Sequence, residues 1–256
     1  MDALQRNREA FKHQSKGFSS EGNTYADAEG LAWMLADLPM SIESAVLDVA
    51  TGTGEFARAL APHVATVIGL DATDAMLDRG KEFAKRHAIT NITFKKGIAE
   101  TLPFQSETFD IVSSRYAFHH FADPKPVLAE MARVCKRGGH LIVVDIVVPE
   151  LVNAAQYNHH EQLCDRSHTR CLGFTELKSL FCRSGAEVIS ARSRDIEEPV
   201  VEWLDFSLTP QTDRDELLRA IDQDLNGGPK TGLSPYKRNS VLYFKQRDAA
   251  VVGRKS

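Results

Sequence analysis

Between Ala45 and Val148 the chain alternates five short runs of branched aliphatic residues with windows of helical periodicity. Such a pattern folds as a mostly parallel sheet with helices on both faces, because parallel neighbours need a crossover long enough to hold a helix. The candidate strands are Ala45–Ala50, Thr66–Leu70, Ile92–Lys96, Phe109–Ser114 and His140–Val147. Helices are predicted over Glu55 to His63, Asp74 to His87 and Pro124 to Lys136, the last stopped by Gly138-Gly139. Beyond Pro149 the pattern is less regular. Helical windows fall in Leu151–Arg166, Thr175–Ser184 and Thr212–Leu225, strands near Glu187–Arg192 and Val241–Gln246, and Arg247 to Ser256 reads as a loose tail.

The richest stretch is Val46-Leu47-Asp48-Val49-Ala50-Thr51-Gly52-Thr53-Gly54-Glu55-Phe56, a hydrophobic strand that runs into a glycine turn and opens a helix. Glycines at such a turn let a ligand approach the backbone closely. The next strand ends in Ile68-Gly69-Leu70-Asp71, placing an acid 17 residues past Gly54, near the spacing of about 20 at which a carboxylate grips ribose hydroxyls. Gly52-x-Gly54-x-x-Ala57 also satisfies the loose dinucleotide fingerprint, so two adenosine cofactors fit. Asp48 and Glu55 discriminate between them. A dinucleotide would set its pyrophosphate at the helix N-terminus, where Glu55 already places negative charge, whereas S-adenosylmethionine carries a sulfonium and an ammonium that acidic neighbours attract.

Charge narrows the partners. Of 256 residues, 31 are Lys or Arg and 35 Asp or Glu, for a formal charge of −4, which is no footprint for nucleic acid or an acidic membrane. The start is polar, and the longest apolar run, Leu141 to Val148, is broken by Asp145 and is far shorter than the roughly 20 residues of a spanning helix. A cytoplasmic chain without stable membrane insertion is expected. Its four cysteines form no C-x-x-C pair and read as reduced thiols.

Over about Ser44 to Pro149 the chain resembles the class I S-adenosylmethionine-dependent methyltransferases, especially the small-molecule branch of the ubiquinone/menaquinone C-methyltransferases. Asp48 to Gly54 matches the first motif, Gly97-Ile98-Ala99-Glu100 the third, and Phe109-Asp110-Ile111-Val112 with Arg115 the fourth. The resemblance implies a Rossmann-like seven-stranded sheet in the order 3-2-1-4-5-7-6, last strand antiparallel. It also implies cofactor contacts from Asp48, Ala50, Thr51, Gly52, Gly54, Asp71, Ala72, Met76, Gly97, Ile98, Ala99 and Arg115, with Asp71 on the ribose and Met76 beside the adenine. Ile98 stands where the family usually has an aspartate that accepts from the adenine amino group. Losing one such bond costs about 1 kcal/mol.

His119 and His120 follow the fourth strand, at the sheet end where open α/β folds bind ligands, and are candidate catalytic bases; one packed inside and one capping in solvent is the plainer alternative. His159, His160, Glu161, Asp165 and His168 form a second polar cluster. Adjacent histidines diverge on a helix, so no metal is expected and a polar lining or solvated face is the better reading. Phe18, Tyr25, Tyr157, His160 and Trp203 are candidate acceptor contacts. The expected organisation is a helical cap segment over 1–43, a methyltransferase domain over 44–246 with 195–238 covering the acceptor, and a flexible tail over 247–256. The expected partner is a small, partly apolar acceptor, and a homodimer is a compatible assembly. Competing readings are a cofactor-binding protein with a non-methylating or interaction role, and an NAD(P)-dependent oxidoreductase.

Overall fold

The computed structural model describes residues 9, 11, 12 and 28–256. Its sheet runs in the order β3-β2-β1-β4-β5-β9-β7, with β1 at Ala45–Val49, β2 at Thr66–Asp71, β3 at Ile92–Lys96, β4 at Phe109–Arg115, β5 at Cys135–Val148, β7 at Ala186–Pro199 and β9 at Val241–Lys255. Neighbours from β3 through β5 are parallel. β9 inserts antiparallel between β5 and β7. Two short strands, β6 at Leu172–Gly173 and β8 at Tyr236–Arg238, extend β5 and β9. Apart from these two, the order is the expected one with the last strand antiparallel.

Alternation along the strands decides which layer each residue joins. Leu47, Val112, Leu141, Val143 and Val251 face α4 (Pro124–Val134) and α6 (Phe174–Arg183). Val46, Ile111, Ile142, Val144 and Val252 face α1 (Ala28–Leu35) and α2 (Glu55–Leu60). α3 (Asp74–Arg86) carries Asp74 in its first turn and Lys85 and Arg86 in its last, matching the helix dipole. Pro124 opens α4 where a missing N–H costs nothing, and the Asp123 side chain accepts from the Lys125 amide.

Over the carboxyl ends of the strands sits a third core, built by α5 (Ala154–Cys164), α7 (Val200–Phe206), α8 (Gln211–Leu225) and the outer half of β9. The cover over the cleft thus includes α5, which precedes the expected 195–238. The expected N-terminal cap lies mostly outside the described residues; within it, α1 packs on the sheet face, with Met34 buried and the Trp33 carbonyl accepting from Arg192 at 2.6 Å.

Two further expectations are corrected. Residues 247–255 are no tail but the part of β9 that pairs with both β5 and β7. Their short apolar core, Ala249 to Val252, is at most 2% exposed. Gly138-Gly139 does not stop a helix: α4 ends at Val134, and the glycines lie in an irregularity where β5 shifts register on β4. A Cβ on Gly139 would come 2.7 Å from the Asp110 carbonyl oxygen.

Candidate active site

β1 lies between β2 and β4, so their carboxyl ends flank the point where the sheet reverses its winding. There Ala50 (φ 54°) and Tyr116 (φ 49°) both take left-handed backbone, a strained state that persists where the surroundings over-determine it. Gly54 (φ 77°) opens α2, and a Cβ there would meet the Phe94 ring at 2.6 Å, so this position takes only glycine.

Acidic side chains brace the turn. Asp48, buried under it, accepts from Thr51 Oγ1 at 2.6 Å and Ser113 Oγ at 2.7 Å. Burial pushes its pKa up to about 6. Asp71 accepts from the Gly52 amide at 2.9 Å and the Thr73 amide at 2.8 Å, which oppose the rise that burial causes. Arg115 donates to Glu55 at 3.1 Å and lies over the Tyr116 ring.

From this turn a cavity of about 410 Å³ extends to the cap, within the roughly 300–1,000 Å³ of ligand sites. Its first half is walled by Leu70, Ala72, Met76, Gly97 and Ala99, with Glu55, Asp71 and Glu100 as acids and Arg115 already held by Glu55. An apolar slot beside carboxylates fits an adenosine that carries a sulfonium and an ammonium. A pyrophosphate would meet Glu55 at the start of α2.

Farther out the lining becomes His119, His120, Phe121, Ile146, Trp203 and Phe206, joined by Glu161, Asp165, His168 and Gln246. The 3-10 turn Phe118–His120 carries both histidines. Asp145 on β5 is 2% exposed; its Oδ2 accepts from the Phe118 amide at 2.6 Å and its Oδ1 from His119 Nδ1 at 2.5 Å. Burial alone would depress His119, but the charges of Asp145, Asp165 and Glu161 outweigh it and raise its pKa. His120 moves the other way, to about 4, through burial and the charge of His119.

Of the expected residues, Ala50, Thr51, Gly52, Asp71, Ala72, Met76, Gly97, Ala99, Arg115, His119, His120 and Trp203 line this one cavity. Asp48 and Gly54 support it from below. Ile98 is 39% exposed, bridges to Thr101 in the loop after β3 and does not line the cavity. Tyr157 and His160 are not in the lining either. The Tyr157 ring is fully buried in the cap core and its hydroxyl bonds Glu161, while His160 Nδ1 is satisfied by the Thr231 carbonyl at 3.0 Å. Phe18 and Tyr25 lie outside the described residues. Asp145, Glu161, Asp165, His168 and Gln246 were not proposed as site residues, although the polar run around His160 signalled three of them. Among the described residues no three His, Cys, Asp or Glu side chains are grouped to hold a metal, and no helix is long and apolar enough to cross a membrane.

Residues 47–143 match a family model described as a methyltransferase domain. The chain is 35% identical over 176 residues to the uncharacterized methyltransferase YcgJ of Bacillus subtilis, covering 68% of this chain and 69% of that protein. It is 38% identical over 107 residues to the demethylmenaquinone methyltransferase of Thermotoga maritima, 41% of this chain and 44% of that one. A crystal structure of a putative methyltransferase from Bacillus halodurans superposes with a TM-score of 0.80 at 28% identity, covering 89% of this chain and 99% of that one. With the glycine turn, the acid ending β2 and the strand order in one molecule, the chain belongs to the class I S-adenosylmethionine-dependent methyltransferases.

Proposed function

We propose that the protein methylates a small, partly apolar acceptor, and that His119, oriented by Asp145, takes the proton the acceptor loses. The observation that carries this reading is the 2.5 Å His119–Asp145 contact, at the junction of the cofactor half of the cavity and its aromatic outer half. S-adenosylmethionine, when bound, supplies a methyl group on a cationic sulfur that leaves as a neutral thioether.

The chain's own contribution is placement and proton transfer. Asp71, Met76 and Ala99 would hold the adenosine, and Tyr116 and His119 line the same cavity after β4. Trp203, Phe206, Phe121 and Ile146 exclude water and cover an apolar body. Because a carboxylate only accepts, the bond to Asp145 fixes the proton on His119 Nδ1 and leaves Nε2 as the basic nitrogen. The bound cofactor would supply its methyl group to the acceptor's nucleophilic atom, and His119 Nε2 would take the proton that atom loses. Alignment of nucleophile, methyl and sulfur supplies most of the acceleration, and the base adds a factor of about 10²–10⁴ for acceptors that must ionise.

The test is a screen of small phenols, enols and amines with methyl-labelled cofactor, repeated with His119→Ala. Turnover should fall by about 10²–10⁴ while calorimetry shows unchanged affinity for S-adenosylhomocysteine. Full turnover by the variant would remove His119 from the chemistry. Cofactor binding with no methylated product from any acceptor would favour a non-methylating role.

A further inference from the structure

The hydrogen-bond network around the outer half of the cavity fixes the tautomers of its histidines. Asn158 Nδ2 donates to the Ala154 carbonyl at 2.8 Å, so Oδ1 is the amide atom that accepts from the Cys171 backbone amide at 2.6 Å. That same oxygen lies 2.9 Å from His168 Nε2. An oxygen already fixed as an acceptor requires Nε2 to carry the hydrogen, which leaves the lone pair on Nδ1. Burial and the charges of His119 and His120 lower the pKa of His168 to about 2, so this ring stays neutral and its tautomer does not change at physiological pH.

The neighbouring groups have the same polarity. His119 gives its Nδ1 hydrogen to Asp145 and, when neutral, offers a lone pair at Nε2; its ring stacks on His168 with centroids 5.4 Å apart. Glu161, 4% exposed, accepts from Gln246 Nε2 at 2.9 Å and from Tyr157; burial raises its pKa, and these bonds oppose that rise without cancelling it. Asp165 also lines this half. Among the described residues no lysine lines the cavity, and its arginine, Arg115, is engaged by Glu55.

From this we infer that the acceptor-binding half recognises hydrogen-bond donors, and that its ligand is an uncharged small molecule carrying at least two hydroxyl or amino groups, one for the His119–His168 pair and one for Glu161. A carboxylate or phosphate there would face Glu161 and Asp165, with His119, whose imidazolium is already paired by Asp145, as the titratable cation of that half, and a fully etherified molecule would give no hydrogen to the His168 Nδ1 or the neutral His119 Nε2 lone pair. This rests on the reading that the outer half holds the acceptor, and it fixes the polarity of that acceptor.

Four probes of one frame separate the possibilities: 4-propylcatechol, 4-propylphenol, 1,2-dimethoxy-4-propylbenzene and 4-propylbenzoate, each titrated calorimetrically into protein saturated with S-adenosylhomocysteine. The catechol should bind about ten-fold tighter than the phenol, and the dimethyl ether and benzoate should be weaker still. His168→Phe should lose most of the catechol preference while keeping its affinity for S-adenosylhomocysteine. Glu161→Gln, which replaces an acceptor with a group that can donate, should weaken the catechol and strengthen the benzoate. Equal or tighter binding of the benzoate or the ether by the unaltered protein, or binding of none of the four, overturns the inference. No chemistry occurs in these titrations, so a His119→Ala enzyme that still turns over would refute the base assignment without moving them.

Discussion

His119 and Asp145 are 26 positions apart in the sequence and meet because β4 and β5 pair in parallel with Arg115 opposite Val144. That register makes the turn after β4 descend onto the next residue of β5. The consequence is measurable in the pH profile. His119 acts as a base only when Nε2 is unprotonated, and its folded pKa is raised, so kcat/KM should fall as pH drops through a midpoint above the ordinary 6.5. Asp145→Asn removes the strongest of the charges that favour the imidazolium, so burial, which lowers the pKa, weighs more against Asp165 and Glu161. Its acid limb should therefore move to lower pH, with a plateau reduced by about ten-fold or more for loss of ring orientation. An acid limb unmoved by the substitution would mean another group titrates. Asp71 and the glycine turn were legible as a site because local spacing carries them. Asp145 was legible only as an interruption in an apolar run, since its partner is set by register, which one sequence does not display. Glu161 and His168 stood in a visible polar cluster, but whether Glu161 faces the cavity depends on the rotation of α5, whose mixed polarity marks no apolar stripe, and His168 is placed by the turn that follows that helix.

At the scale of elements, β9 departs most from what the sequence suggests. Arg247-Asp248 and Arg254-Lys255 bracket only a short apolar stretch, Ala249-Ala250-Val251-Val252, and charged ends with small residues between them look like a tail. In the sheet the charges find partners: Asp248 accepts from the Tyr116 hydroxyl at 2.8 Å, Arg247 donates to Asp195, and Lys255 to the Cys135 carbonyl. Small residues suit a strand covered on both faces. Ending the chain after Arg247 should therefore destroy the fold. It would expose the β5 edge from His140 to Ile146, free the Ala186–Arg194 part of β7, and leave Tyr116 without the acceptor that anchors its left-handed turn. We expect insoluble protein, or soluble protein with no cooperative thermal transition by circular dichroism. A truncated chain that melts cooperatively within a few degrees of the full one would show that β9 closes the sheet without supporting it. β1, β2, β4 and the His140–Val148 part of β5 were legible because their aliphatic runs are bounded by helix signals, a condition that β7, with polar residues at alternate positions, does not meet.

Taken as a whole, the molecule holds its cofactor site between a sheet that is complete without ligand and a cap that has its own core, with the cavity running along their junction. Asp48, Asp71, Glu55 and Arg115 are preset by hydrogen bonds. A site assembled before binding loses little conformational entropy when it fills. Binding free energy then appears directly as stability, because the unfolded chain has no such site. At a ligand concentration of about 100 times Kd the gain is about 2.7 kcal/mol, and at about 2–4 °C per kcal/mol for a chain near this size the Tm should rise by roughly 5–10 °C. S-adenosylhomocysteine should give that shift. NADH should give none, because Glu55 occupies the place its pyrophosphate needs. Asp71→Ala, read at the same ligand concentration, should lose most of the shift, since the ribose would lose its carboxylate and the Gly52 and Thr73 amides their acceptor. A thermal shift with NADH that Glu55→Ala enlarges would confirm the electrostatic exclusion as partial. A shift with NADH equal to that with S-adenosylhomocysteine would show that the acidic turn does not discriminate between the two adenosine cofactors.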